Sequence, residues 1–212
     1  MLIGGKLEVS IIQAMLEASY LPKNERKDRI QNYELDTSLG NRYIAVYYNK
    51  GLNQAVISIR GTAKTMTDWS YNGVYALQGQ EQYKTTKRVK SMAPIVNAAI
   101  KKYGGENCTI IGHSQGAIYT RINADKVNDT ITLNPAARFE TQKPNEYTIR
   151  SSLDVVSSAQ ALGNSLNKIL YPQFNKKHNI EIPSTTNNPI TEHSIDILER
   201  LPPEKKIGKN KR

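Results

Sequence analysis

The residues best equipped for chemistry lie together in Gly112-His113-Ser114-Gln115-Gly116. A serine flanked by glycines at this spacing fits a tight turn from a strand into a helix. The cause is steric. The serine backbone is held in a strained conformation, and side chains at Gly112 and Gly116 would collide with the neighbouring strand and helix. The turn raises the hydroxyl at the positive end of the helix that follows. Five residues alone are a weak signal. Here the apolar run Cys108 to Ile111 precedes the turn and a helical stretch follows to about Lys126, which is the setting the pattern requires.

A serine hydroxyl is a weak nucleophile until a base accepts its proton, and a carboxylate commonly orients that base. Two histidines follow Ser114 in the chain. His193 lies in a loop, Pro189 to Ser194, that leads into the helix-like run Ile195 to Leu201. His178 follows Lys176-Lys177 in a basic, surface-like stretch, so His193 is the preferred base and His178 the alternative. His113 faces away from the serine on such a turn and is assigned a structural role. Asp154 comes just after the strand candidate Tyr147 to Arg150, where an orienting acid belongs; its alternative is a loop cap. Asp125 and Asp129 come too early, and Asp196 is too close in sequence to His193.

Attack on an acyl carbon creates a tetrahedral oxyanion that needs two preorganised donors. The N–H of Gln115 supplies one. Arg60-Gly61-Thr62 follows the strand Ala55 to Ile59, and Thr62 offers a backbone N–H and a hydroxyl for the second; the alternative is a simple strand-end turn. The segment 63–73 contains Asp68 and Trp69, Trp69 being the only tryptophan. It reads either as a short lid or as a helix with Trp69 in the core, with Asp68 a candidate to orient the Thr62 hydroxyl.

The surrounding pattern supplies elements to hold these residues. Val9 to Tyr20 reads as a helix that packs on the domain, and Lys23 to Asp28 as an exposed loop or helix end. Tyr43 to Tyr48 and Ala55 to Ile59 form a hairpin around Asn49-Lys50-Gly51. Val89, Met92, Val96, Ala99, Ile100 and Tyr103 recur at helical spacing, which predicts a helix over Glu81 to Tyr103, kinked or split at Pro94 and ended by Gly104-Gly105. Thr130 to Leu133 is a strand stopped by Asn134-Pro135. Strands alternating with helices predict a mostly parallel central sheet flanked by helices.

The chain has 212 residues, enough for one domain over 1–204 with a sizeable core, and a basic tail over 205–212. The single cysteine, Cys108, rules out an intrachain disulfide. No apolar run approaches the ~18 residues of a membrane span, and Lys6 and Glu8 interrupt what would be a signal peptide; a soluble protein is expected. The net charge of +10 points to contact with a polyanion, nucleic acid or an anionic membrane surface, or simply to a basic solvated surface, and the charge alone does not choose among them. Aromatic residues make up only 7% of the chain, which offers few platforms for stacking bases, and no dedicated nucleic-acid motif is present.

The strand ending in Ile57-Ser58-Ile59-Arg60-Gly61-Thr62, then Asp68-Trp69, then Ile110-Ile111 with the serine pentapeptide resembles the fungal-type class 3 lipases. Asn134-Pro135, and Asp154 and His193 in that order, fit as well. The resemblance runs from about Tyr43 to His193. It implies an α/β-hydrolase fold, a Ser114–Asp154–His193 triad, an oxyanion hole from Thr62 and Gln115, and hydrolysis of lipid esters without metal or organic cofactor. Gln115 stands where the family usually has leucine, Gly116-Ala117 replaces its Gly-Gly ending, and Asn72 lies near the place of a second aspartate. Two rival readings remain: an esterase or thioesterase for a non-lipid acyl group, and a non-catalytic hydrolase-like domain that binds membranes.

Overall fold

A computed structural model describes residues 1–3, 7–62, 81–136, 143–154 and 178–201. Its centre is an eight-stranded sheet. In chain order the strands are β3 (Arg29–Ile30), β4 (Tyr33–Asn41), β5 (Ile44–Asn49), β6 (Gln54–Ile59), β7 (Cys108–His113), β8 (Asp129–Leu133), β9 (Glu146–Ser151) and β10 (Asn179–Ile182). They lie side by side in sequence order. From β3 to β6 the pairing is antiparallel, and from β6 to β10 it is parallel. A separate short pair, β1 (Leu2–Ile3) and β2 (Leu7–Glu8), precedes the first helix.

The strand period of two divides the apolar residues between two layers. Ala45, Tyr47, Val56, Ile111, Ile131 and Leu133 face α1 (Val9–Tyr20), packing with Ile12, Met15 and Leu16. Ile44, Val46, Ala55, Ile57, Cys108 and Ile110 face the opposite layer. That layer holds α2 (Lys87–Tyr103), through Val89, Met92, Val96 and Ala99, and α3 (Gln115–Ile122), through Ile118 and Tyr119. The central strands are buried on both faces and so read as continuous apolar runs. A mostly parallel sheet, helices on both faces and a serine turn between β7 and α3 make up the α/β-hydrolase fold.

The hairpin expected around residues 49–51 is present, with Asn49 opposite Gln54. The helix expected over Glu81 to Tyr103 breaks elsewhere than at its proline. Thr86 caps a new helix by accepting from the Val89 N–H, and α2 then runs unbroken through Pro94. The buried face of α2 on either side of Pro94 holds the helix together despite the missing N–H. Gly104 ends it at φ 82°, a backbone state that favours glycine. The helix after the serine turn stops at Ile122, short of the expected Lys126, and a 3-10 turn over Ala124–Lys126 follows. Within the expected loop Lys23 to Asp28, Arg26 is buried, because its guanidinium donates to the carbonyls of Leu21, Asn41 and Ile44.

Candidate active site

Ser114 stands at the carboxyl end of β7 with φ 54° and ψ −121°, far from the usual wells of an L-residue. Its backbone N–H donates to the Leu133 carbonyl at 2.9 Å, which ties the turn to β8. Both neighbouring glycines are forced. A Cβ on Gly112 would stand 2.3 Å from the Thr120 hydroxyl and 2.7 Å from the Gly116 carbonyl. A Cβ on Gly116 would stand 2.4 Å from the Ile59 carbonyl and 2.7 Å from the Arg60 carbonyl. Strand β6 and helix α3 can approach this closely only where side chains are absent.

Ser114 Oγ lies 2.8 Å from His193 Nε2, and His193 Nδ1 lies 2.8 Å from Asp154 Oδ1. Asp154 is fully buried, while His193 keeps 20% of its side chain exposed. Ionised Asp154 can only accept, so His193 Nδ1 carries a proton toward it and Nε2 is left to accept from the serine. The other histidine downstream, His178, packs instead on the ring of Tyr147, at 4.4 Å between centroids. Cys108, the other nucleophilic type nearby in sequence, is buried, and burial pushes its thiol up to about 11.

Gln115 opens α3, so its N–H belongs to the first helical turn, where the helix itself supplies no acceptor. Thr62 lies in the segment after β6, beside Gly61. That loop is close to the nucleophile: a Cβ on Gly61 would come within 2.8 Å of Ser114 Cβ. Arg60 and Gly61 are held from behind by Arg88, a fully buried side chain of α2 that donates to both their carbonyls. Its guanidinium lies over Tyr43, 4.5 Å from the ring centre. Arg60 lies over the same ring at 5.1 Å. The candidate lid residues Asp68 and Trp69, with the segment 63–73, fall outside the described residues, as does the basic tail over 205–212.

Two features of the site go beyond the roles that the sequence assigns. The first is a buried carboxylate beside the candidate base. Glu192 accepts from the Thr185 and Thr186 N–H groups at 3.2 and 3.0 Å, from the Thr186 hydroxyl at 2.9 Å, from Arg200 at 2.7 Å and from the Ser151 hydroxyl. The adjacent Arg200 guanidinium, followed by the hydroxyl and N–H donors, holds this carboxyl well below the usual range. Asn134 adds to the clamp from the end of β8. At φ 42° it donates to the Glu192 carbonyl and accepts from the Ser151 N–H, both at 3.0 Å. One polar knot thus joins β8, the end of β9 that leads to Asp154, and the helical turn Pro189–Glu192 that leads to His193. The second feature is the partner of His113, assigned a structural role from the sequence: its ring reaches the His193 carbonyl at 2.8 Å. Nothing in the sequence marks these contacts, which join Ser151 to Glu192, Asn134 to Glu192 and His113 to His193 across 41, 58 and 80 residues.

No protein-family model matches the chain, and no curated protein sequence matches it. Solved structures similar to it are lipases. The Lip2 lipase of Yarrowia lipolytica is 11% identical, with a TM-score of 0.48 over 71% of this chain and 72% of that one. A triacylglycerol lipase of Penicillium expansum is 17% identical, with a TM-score of 0.45 over 82% and 78%. The M37 lipase is 14% identical, with a TM-score of 0.45 over 92% and 90%. Among the described residues no cluster of histidine, cysteine and carboxylate side chains could hold a metal ion, and no helix is long and apolar enough to cross a membrane.

Proposed function

We propose that this chain is a serine carboxylic-ester hydrolase that acts on lipid esters. The observation that carries the reading is the continuous hydrogen-bonded line Ser114–His193–Asp154 at a strained strand-to-helix turn. Ser114 Oγ attacks the ester carbonyl carbon while its proton passes to His193 Nε2. Asp154 orients the ring and stabilises the imidazolium that forms. The oxyanion is held by the N–H of Gln115 and by Thr62, each donor contributing about 2.7–4 kcal/mol to lowering the barrier. The tetrahedral adduct collapses as His193 gives its proton to the departing alcohol, leaving an acyl group on Ser114. Water then attacks that ester, His193 takes the proton from the water, and the carboxylic acid leaves as Ser114 recovers its hydrogen.

The net charge of +10 supports an anionic lipid surface as the place where substrate is met. The test compares wild type with Ser114→Ala on short p-nitrophenyl esters, a triacylglycerol emulsion and anionic phospholipid vesicles. Hydrolysis is expected from wild type alone, fastest on one of the lipid substrates. Equal inactivity of both proteins, with no fluorophosphonate labelling of Ser114, would overturn the enzymatic reading in favour of a binding domain. Preference for the short esters over both lipids would replace the lipid substrate with a soluble acyl ester.

A further inference from the structure

We infer that Tyr20 and His113 are positioning residues that lock the candidate base and the candidate oxyanion loop into one unit; the inference rests on the catalytic reading of Ser114 and His193 given above. His113 Nε2 lies 2.8 Å from the backbone carbonyl of His193, and His113 Nδ1 lies 2.6 Å from the Tyr20 hydroxyl. The same hydroxyl accepts from the Gly61 N–H at 2.8 Å. Three segments far apart in sequence therefore meet on two rings: the end of α1, the loop after β6 and the loop of His193.

The directions of these bonds are determined. A carbonyl only accepts, so the proton of His113 sits on Nε2 and points at His193. Burial, reinforced by neighbouring His193, lowers the His113 pKa to about 3, so the ring stays neutral and Nδ1 is left as an acceptor. The Tyr20 O–H donates into that nitrogen, and a lone pair of the same oxygen receives the Gly61 N–H. Donation thus runs from Gly61 to Tyr20, from Tyr20 to His113 and from His113 to His193. Packing leaves little slack around it. The His113 ring lies 5.1 Å from the His193 ring and 5.9 Å from the Tyr20 ring, and a Cβ on Gly61 would stand 2.5 Å from the Tyr20 hydroxyl.

The consequence is geometric. Catalysis needs His193 Nε2 within reach of Ser114 and the oxyanion donors within reach of the same carbonyl carbon. The Tyr20–His113 tie fixes both against one another, where Asp154 alone fixes only the ring of His193. Neither residue touches the reacting atoms.

The experiment measures the rate of fluorophosphonate labelling, and kcat and KM on a short p-nitrophenyl ester. The proteins are wild type, Ser114→Ala, Tyr20→Phe, His113→Gln and the Tyr20→Phe/His113→Gln double variant. Tyr33→Phe is the control. Its hydroxyl also makes a buried hydrogen bond, to Gln54 at the opposite end of β6. Tyr20→Phe is expected to slow labelling and kcat roughly tenfold with KM unchanged, as loss of one hydrogen bond expressed in the transition state would do. Tyr33→Phe is expected to lose melting temperature but keep wild-type kcat in the folded protein. The double variant should be no slower than the slower single one, because both changes cut the same tie. Wild-type rates in Tyr20→Phe, or a slowing matched by Tyr33→Phe, would overturn the inference while leaving Ser114 labelled. Failure of wild type itself to label would instead overturn the reading of Ser114, and the inference with it.

Discussion

Two fully buried glutamates, Glu146 and Glu192, each meet an arginine, and they do different work. Glu146 opens β9 under α3. Arg121 donates to it through Nε and Nη2, with Nη2 at 2.6 Å, and Thr132, Thr148 and the Lys143 N–H donate to it as well. Its side-chain partners belong to the sheet and the helix above it, and Lys143 donates from the turn into β9, so the knot holds a layer together. Glu192 sits next to the candidate base. Its partners come from separate segments that converge beside the candidate base: Ser151 at the end of β9, the Thr185–Thr186 stretch, and Arg200 at the end of the 3-10 helix Ile195–Arg200. Burial and pairing are alike, but one carboxylate anchors a scaffold and the other shapes a site.

The contrast can be broken by substitution. Glu146→Ala leaves the Arg121 guanidinium buried without its counter-ion, which is expected to cost ~3–5 kcal/mol. Thermal unfolding should show a drop of roughly 6–20 °C for a chain of this size. The turnover of the molecules that remain folded should stay near wild type; a selective fall in kcat would place Glu146 with the site after all.

Glu192→Gln is expected to act in the opposite sense. It keeps the shape but weakens the grip on Ser151, the Thr185–Thr186 turn and Arg200, so His193 is held less well. We expect kcat to fall roughly tenfold or more at unchanged KM on a short ester. Titration of both single variants by fluorophosphonate burst would check it. Equal losses of stability and no change in kcat would erase the difference between the two glutamates.

The folded-state pKa of Glu192 is depressed from 4.5 by Arg200 and its hydroxyl and N–H donors. Its contribution to stability is therefore complete above 4.5, where folded and unfolded states are both ionised. As the pH falls below that value, the unfolded chain binds a proton and the folded one does not, and the contribution shrinks. The melting-temperature gap between wild type and Glu192→Gln should narrow between neutral pH and pH ~3. A gap that is constant with pH would mean that the charge of Glu192 does not matter.

The smallest effect is expected at an exposed carboxylate. Glu34 pairs with Arg29, both side chains about two-thirds exposed. Glu34→Gln should change stability by under ~1 kcal/mol, with kcat unaltered. A larger change would show that exposure is a poor guide to the weight of an ion pair in this fold.

Much of this protein was legible in one dimension, wherever a short-range cause acts. The period of two in β5 to β8, the helical spacing in α1 and α2, and the glycines around Ser114 all reflect contacts with neighbours along the chain or across one strand. The order of Ser114, Asp154 and His193 along the chain also singles them out. The strand β10 and the antiparallel pair β3–β4 were not foreseen, because β3 has two residues and β4 mixes polar with apolar positions under a bulge. The break at Thr86, where Pro94 was expected to be the weak point, was decided by the packing of α2 on the sheet. Above all, tertiary structure alone brings Tyr20 to His113, Arg88 to Arg60, and Asn134 and Arg200 to Glu192 and its flanks. These polar residues have no periodicity to read. Their value comes from burial beside a particular donor or acceptor, and only the folded chain determines which one that is.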